Sequence, residues 1–217
     1  MILILAQQGT TGMLKDLFDK YKCDKGTSKH HYYKVYEQYF EDVREEPLNF
    51  LEIGTFKAAS TRAFYDYFPN ANIYTIDIFE RTDPKDLDIL HKDRVHWLKA
   101  DSMSATLPQK IKKEWGDVKF DFVIDDGAHW PEANRMTFEN IVPFLEDDGT
   151  YFIEDLFPMH IMTTAQLNLS WLTGKPDKYD MLKHNQLLTT LDSYNTKLHD
   201  RRKETKCQDT CIMAVTK

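Results

Sequence analysis

Cysteine is scarce in this sequence, and so are the features that mark membrane or nucleic-acid proteins. Three cysteines among 217 residues, Cys23, Cys207 and Cys211, make no disulfide framework. Their usage fits a reducing cytoplasm. Cys207 and Cys211 stand four apart, but a tetrahedral zinc site needs two more ligands, and His199 alone is near in sequence. No apolar run reaches the ~20 residues of a membrane-spanning helix. The opening MILILAQQG has neither the basic start nor the full apolar stretch of a secretory signal. No long basic run occurs and the net charge is −7, which argues against binding nucleic acid through clustered Lys and Arg. Internal repeats and low-complexity linkers are missing too, so a single domain is expected.

What is present is an ordinary globular composition, 41% hydrophobic and 29% charged, with enough aromatics (13%) to argue against disorder. The first third carries helical spacing. Met13, Leu14, Leu17, Phe18 and Tyr21 form one stripe, and Tyr33, Val35, Tyr36, Tyr39 and Phe40 form another, with the polar CDKGTSKHH between them. From residue 48 the pattern alternates. Short apolar runs at 48–54, 71–79, 95–101, 120–126 and 150–155 read as strands, and 60–68, 106–115 and 131–145 read as helices, with DDG at 147–149 as a turn. Alternation of this kind predicts βαβ units and a mainly parallel sheet covered on both faces, an α/β fold. Further on, 181–192 reads as a helix and 211–217 as a final strand, whereas 156–175 has no clean period and reads as a lid or substrate loop.

Most of these strands end in acids: Asp77, Asp101, Asp125 with Asp126, and Glu154 with Asp155, while Glu52 lies inside the first. Any one alone reads as a helix N-cap. Five strands together do not, because ligands of open α/β sheets bind beyond the strands' carboxyl ends and paired acids need a cation or donors nearby. LEIGTFKAAS (51–60) has the strand–glycine–helix form of a nucleotide turn, with Gly54 allowing backbone to approach a ligand, and Asp77 is placed to accept two ribose hydroxyls. The later glycines of G-x-G-x-x-G are replaced by Phe56 and Ala59. A pyrophosphate depends on that backbone more than a cationic ligand does. A nicotinamide-dependent oxidoreductase and a non-catalytic cofactor-binding module stay open as alternatives at this point.

The E-x-G of the first strand, the acid ending the second and Asp101-Ser102 after the third resemble the class I S-adenosylmethionine-dependent methyltransferases. DKGTSKHHYY (24–33), LEIGTFKAAS (51–60), IDDGAHW (124–130) and FIEDL (152–156), in that order, narrow the resemblance. Together they are similar to the metal-dependent sugar O-methyltransferases of macrolide biosynthesis, the mycinamicin and tylosin type, and to cephalosporin-biosynthesis relatives. The resemblance covers roughly residues 20–156. It implies a Rossmann-like, doubly wound, mostly parallel seven-stranded sheet with helices on both faces and an antiparallel C-terminal strand. One methyltransferase domain would then comprise an N-terminal helical segment (1–47), a cofactor-binding and catalytic core (48–155), a lid or substrate loop (156–175) and a C-terminal helix with final strands (176–217).

The resemblance also implies roles. S-adenosylmethionine would be held by Lys25, Glu52, Gly54, Asp77, Asp101, Ser102 and Asp125, and Mg2+ or another divalent cation by Asp126, Glu154 and Asp155. His129, three residues after the first metal acid, would be the general base; without the resemblance it reads as a histidine at a helix start. The chemistry is coherent: a sugar hydroxyl is a poor nucleophile at neutral pH, and a cation bound by neighbouring oxygens lowers its pKa and fixes its direction. His30, His31, Tyr32, Tyr33, His160 and Trp171 are further acceptor-site candidates, although aromatics at helical spacing are more often core. The sequence departs from the family where AAS (58–60) replaces G-G-S and Ala128 replaces a serine. The expected partner is a small-molecule acceptor, a sugar or glycosylated compound, with no nucleic acid and no membrane, and with homo-oligomerisation left open.

Overall fold

A computed structural model of the chain describes residues 13–168 and 178–217. The apolar runs become seven strands: β1 (Asn49–Ile53), β2 (Asn72–Asp77), β3 (Val95–Lys99), β4 (Phe120–Asp125), β5 (Leu145–Ile153), β6 (Asn195–Asp200) and β7 (Cys211–Thr216). They form one sheet in the order β3-β2-β1-β4-β5-β7-β6. The first five are parallel, β7 runs antiparallel to β5, and β6 runs antiparallel to β7. Helices α1 (Leu14–Lys20), α2 (Tyr33–Phe40), α3 (Ala59–Tyr67), α4 (Leu107–Trp115), α5 (Pro131–Ile141), α6 (Thr164–Leu167), α7 (Met181–Leu191) and α8 (Arg202–Thr205) accompany it.

Side chains alternate across a strand, so each central strand feeds two cores. Phe50, Phe122 and Phe152 face α1, α2 and α3, where they meet Phe18, Tyr36, Phe40 and Phe64. Leu51, Val123 and Tyr151 face the opposite side with Ile111 of α4, Phe138 of α5 and Leu187 of α7. Phe40 anchors the first core, with its ring centroid 4.8 Å from Phe122, 5.3 Å from Phe68 and 5.8 Å from Phe152. Removing a ring so enclosed costs about 3–5 kcal/mol. This aromatic stripe of α2 is core, as its spacing suggests.

Register is what builds a site. Ile53 pairs with Asp125, and Asp125 with Ile153, so β1, β4 and β5 finish abreast. The ladder then continues one step. Asp126 N donates to Ile53 O (2.9 Å), Glu154 N to Asp125 O (3.0 Å) and Gly54 N to Ile76 O (2.9 Å). Gly54, Asp126 and Glu154 therefore leave the sheet side by side, where the strand order reverses between β1 and β4.

Three local expectations change. The segment 145–149, expected as helix end and turn, belongs to β5: Pro143 stops α5 at Ile141, and pairing with β4 captures the chain through a register irregularity between Phe120 and Phe122. The polar NTKLHD (195–200) is an edge strand, β6, which no apolar alternation announces. Of the expected loop at 156–175, a helical turn at Met159–Ile161 and α6 are described; Trp171 and the rest of 169–177 lie outside the described residues, as does MILILAQQG. Among the described residues no helix is long and apolar enough to cross a membrane.

Candidate active site

The stretch IDDGAHW divides at the end of β4. Asp125 is 1% exposed and turns away from the strand ends. It accepts from Asn134 Nδ2 of α5 (3.3 Å), Tyr151 Oη of β5 (3.2 Å) and Gly127 N (3.3 Å). Burial pushes its carboxyl up to about 6, despite those donors. Its work is to tie the turn to α5 and β5, and it does not line the cleft above the sheet. Asp126, next in the chain, does line that cleft. His129 closes the turn in the left-handed region (φ 63°), a conformation that costs a non-glycine residue about 1 kcal/mol or more and clusters at functional sites. It holds Nε2 3.6 Å from Asp126 Oδ1, while its Nδ1 is buried without a partner among the described residues.

The end of β5 supplies the facing acids. Asp155 is also left-handed (φ 50°). Tyr32 Oη donates to its Oδ1 at 2.6 Å, and Asp155 N donates back to the same hydroxyl at 3.3 Å. Glu154 is buried, with Tyr36 Oη donating to Oε1. Lys25 Nζ lies 2.5 Å from Glu154 Oε2 and 2.5 Å from Asp126 Oδ2. Burial pushes Glu154 and Asp155 up, and neighbouring carboxylates add to it. On Asp126 burial acts the same way, but the Lys25 ammonium and then His129 outweigh it, and the carboxyl is held below its usual range. Lys25 is held cationic in turn: burial opposes its charge, and Asp126 and Glu154 more than compensate.

One ligand atom each from Asp126, His129 and Asp155 lies within 4.8 Å of the others. Two carboxylates and an imidazole fit a divalent cation, the carboxylates suiting a hard one. Glu154, expected as the third metal acid, lies beneath this trio with both oxygens engaged by Tyr36 and Lys25. Elsewhere, Cys207 gathers with His30 and Asp209, not with His199, which pairs with Tyr39 Oη at 2.9 Å.

A single cleft of about 1630 Å³ runs over the strand ends, lined among others by Gly54, Asp77, Asp101, Ser102, His129 and Asp155. Five adjacent parallel strand ends span ~19 Å, room for a nucleoside joined to an amino acid. Asp77 sits at the β2 end, where Phe56 N donates to Oδ2 (2.9 Å) and Phe79 N to Oδ1 (2.6 Å). Each oxygen keeps a lone pair for a hydroxyl. Asp101 accepts from Met103 N (2.9 Å), and Ser102 Oγ pairs with Thr137 Oγ1 (2.9 Å).

Besides Asp125, two residues expected at the cofactor, Glu52 and Gly54, sit elsewhere or act otherwise. Glu52 is wholly buried and does not line the cleft. Thr61 Oγ1 donates to its Oε2 at 2.5 Å, and burial raises it to about 7. Gly54 does line the cleft, yet its glycine is demanded from within: φ is +97°, and a Cβ there would fall 2.1 Å from Asp126 O. His30, Tyr32 and Tyr33 are buried and do not line the cleft; His30 Nε2 lies 3.8 Å from Asp155 Oδ1, and Tyr33 packs in the core beside His31. Tyr32, expected near the acceptor, holds Asp155 instead, and Tyr36, which its spacing marks as core, also holds Glu154.

The order of strands, the acids at their ends and the turn after β1 define a class I methyltransferase fold. Residues 51–156, just under half of the chain, match the family model described as a methyltransferase domain. Among curated proteins the chain is 29% identical over 163 residues to 8-demethyl-8-(2-methoxy-alpha-L-rhamnosyl)-tetracenomycin-C 3'-O-methyltransferase of Streptomyces olivaceus, covering 72% of this chain and 40% of that protein. It is 28% identical over 172 residues to mycinamicin VI 2''-O-methyltransferase of Micromonospora griseorubida, covering 71% and 41%. The chain thus spans about two fifths of the length of these relatives. Among solved structures, MycE methyltransferase of mycinamycin biosynthesis, in complex with Mg, SAH and mycinamycin VI, superposes with a TM-score of 0.67 at 24% identity, covering 94% of this chain and 54% of MycE. That likeness shows the fold.

Proposed function

We propose that the protein transfers a methyl group from S-adenosylmethionine to a hydroxyl of a sugar or other vicinal diol, with a divalent cation at the acids of β4 and β5. The observation that carries this reading is that one cleft joins the Asp77–Asp101 end to the Asp126–His129–Asp155 trio. The first end suits an adenosine: Asp77 for ribose hydroxyls, Asp101 and Ser102 for the base. The second suits an acceptor alcohol. The relatives named above are O-methyltransferases of glycosylated compounds, which supports an acceptor of that kind.

Transfer is an in-line displacement at the sulfonium methyl: the acceptor oxygen forms the new C–O bond, the S–CH3 bond breaks, and S-adenosylhomocysteine leaves. The acceptor's proton must go elsewhere. His129 Nε2, facing the cleft beside Asp126, receives it as general base, a role worth about 10²–10⁴ in rate. When bound by Asp126 and Asp155, a divalent cation supplies Lewis acidity that makes a diol hydroxyl easier to ionise. Tyr32 fixes Asp155, and Lys25 fixes Asp126.

The test combines a chelator with three variants. Turnover of a diol acceptor is expected to stop in EDTA and return with Mg2+, and Asp126→Ala and Asp155→Ala to be inactive. His129→Ala is expected to keep S-adenosylhomocysteine affinity while losing rate. Full turnover in chelator removes the metal role, and an unchanged rate in His129→Ala removes the base.

A further inference from the structure

Trp130 follows His129 directly and stands at the N-cap of α5, where a side chain that accepts from the helix amides is usual. Trp130 makes no such bond. Among the described residues it belongs to none of the apolar clusters that hold the core aromatics, and it is only half-buried. It lines the cleft beside His129 instead. Lys178 Nζ lies 3.9 Å from the centroid of its ring. Lys178 precedes α7, and Lys183 of α7 reaches Glu132 of α5 at 3.0 Å, which seats the start of one helix against the start of the other. Lys178 is exposed and lines the cleft too. Among the described residues it joins no carboxylate, and its partner is the indole face. Such a face is electron-rich and attracts a cation or the polarised C–H groups of a sugar ring. An exposed ammonium on it is a weak, displaceable occupant.

We propose that Trp130 and Lys178 form the acceptor subsite and select a sugar that carries an anionic group. The pyranose face packs on the indole, and the ammonium moves to the rim of that ring to pair with a carboxylate or phosphate on the sugar. This deepens the methyl-transfer reading and rests on it. A neutral sugar would use the indole alone and leave the ammonium without an anion. An anionic sugar gains a charge-assisted contact with a lysine that no acid of the described residues occupies. A lysine is a point charge on a flexible stem, so carboxylate and phosphate both suit it. The acids at the ends of β4 and β5 repel an anion, and Lys178 is the group that offsets them on the acceptor side. Stacking on Trp130 also sets the sugar next to His129, the residue that takes the acceptor's proton.

The test is calorimetric titration of the protein in S-adenosylhomocysteine and Mg2+. The probes are methyl glucoside, methyl glucuronoside and methyl glucoside phosphorylated at its primary hydroxyl. At least one anionic glycoside is expected to bind about 10-fold or more tightly than methyl glucoside, as a new charge-assisted contact gives. The tighter of the two identifies carboxylate or phosphate as the group recognised. Lys178→Met is expected to erase the preference and Lys178→Arg to keep it. Trp130→Leu is expected to weaken all three glycosides by about 10-fold with S-adenosylhomocysteine affinity unchanged, which a tryptophan that merely packs would not do. Equal binding of neutral and anionic glycosides by the wild type, or a preference that survives in Lys178→Met, overturns the inference. Binding of S-adenosylhomocysteine with none of the three glycosides overturns it too and spares methyl transfer. A protein that takes up no S-adenosylhomocysteine overturns the methyl-transfer reading itself. Should Trp130→Leu fail to fold, Lys178→Met decides alone, since that side chain is exposed.

Discussion

Tyr32 Oη donates to Asp155 Oδ1 at 2.6 Å, joining the start of α2 to the end of β5 across 123 residues. One helical turn later Tyr36 does the same for Glu154. The rings of both belong to the aromatic core, so the acids are held by residues that packing already immobilises. Hydrogen bonds to charged groups contribute about 1.5–3 kcal/mol each. Tyr36→Phe should therefore lower stability by about that amount in urea unfolding, because Glu154 is fully enclosed. Tyr32→Phe should lose less, since the Asp155 side chain is 15% exposed and water replaces part of the bond. Equal losses would contradict the assigned difference in environment.

Gly54 is a second structural test. Alanine there must adopt a left-handed φ of +97° and press its Cβ to 2.1 Å from Asp126 O. Strain and overpacking together predict a loss of about 3 kcal/mol or more. Relief would come by moving the Asp126–His129 turn, so methyl transfer should fall alongside the melting temperature. An active, fully stable Gly54→Ala would show that β1 and β4 do not approach as described.

The buried Glu52 makes stability depend on pH. Burial raises its carboxyl from 4.5 to about 7. Between those values the folded state keeps a proton that the unfolded chain releases, so the native form binds more protons and stability falls as pH rises. The contribution is complete below 4.5, disappears by about 7 and amounts to ~3 kcal/mol. Unfolding free energies of wild type and Glu52→Gln, measured from pH 4.5 to 8, should diverge with that slope. Parallel curves would mean that Glu52 is not desolvated in the native state.

Most strands and their acid ends were legible because period and terminal charge are local properties. The parallel core of β1 to β4 follows from apolar runs of strand length separated by helical stripes. What escaped was set by partners distant in sequence. DDG at 147–149 has turn chemistry, yet pairing with β4 draws it into β5. β6 is polar because it is an edge, which only its neighbour β7 reveals. At the site, the run Asp125-Asp126 shows two acids but not which one faces the cleft; Asn134 and Tyr151 decide that by holding Asp125. Glu52 resembled a cofactor ligand because an acid inside a strand begs a partner, and its partner proved to be Thr61. The burial of Lys25 between two acids more than 100 residues away has no local signature at all.

The central claim is that this cleft holds S-adenosylmethionine, with Asp77 engaging the ribose. Isothermal titration calorimetry of the wild-type protein and Asp77→Ala, with S-adenosylhomocysteine and with NAD in separate runs, tests it most directly. The account predicts saturable one-to-one binding of S-adenosylhomocysteine, weakened by roughly 10-fold or more in Asp77→Ala as a lost charge-assisted hydrogen bond requires, and no heat from NAD. Saturable binding of NAD with none of S-adenosylhomocysteine would contradict it.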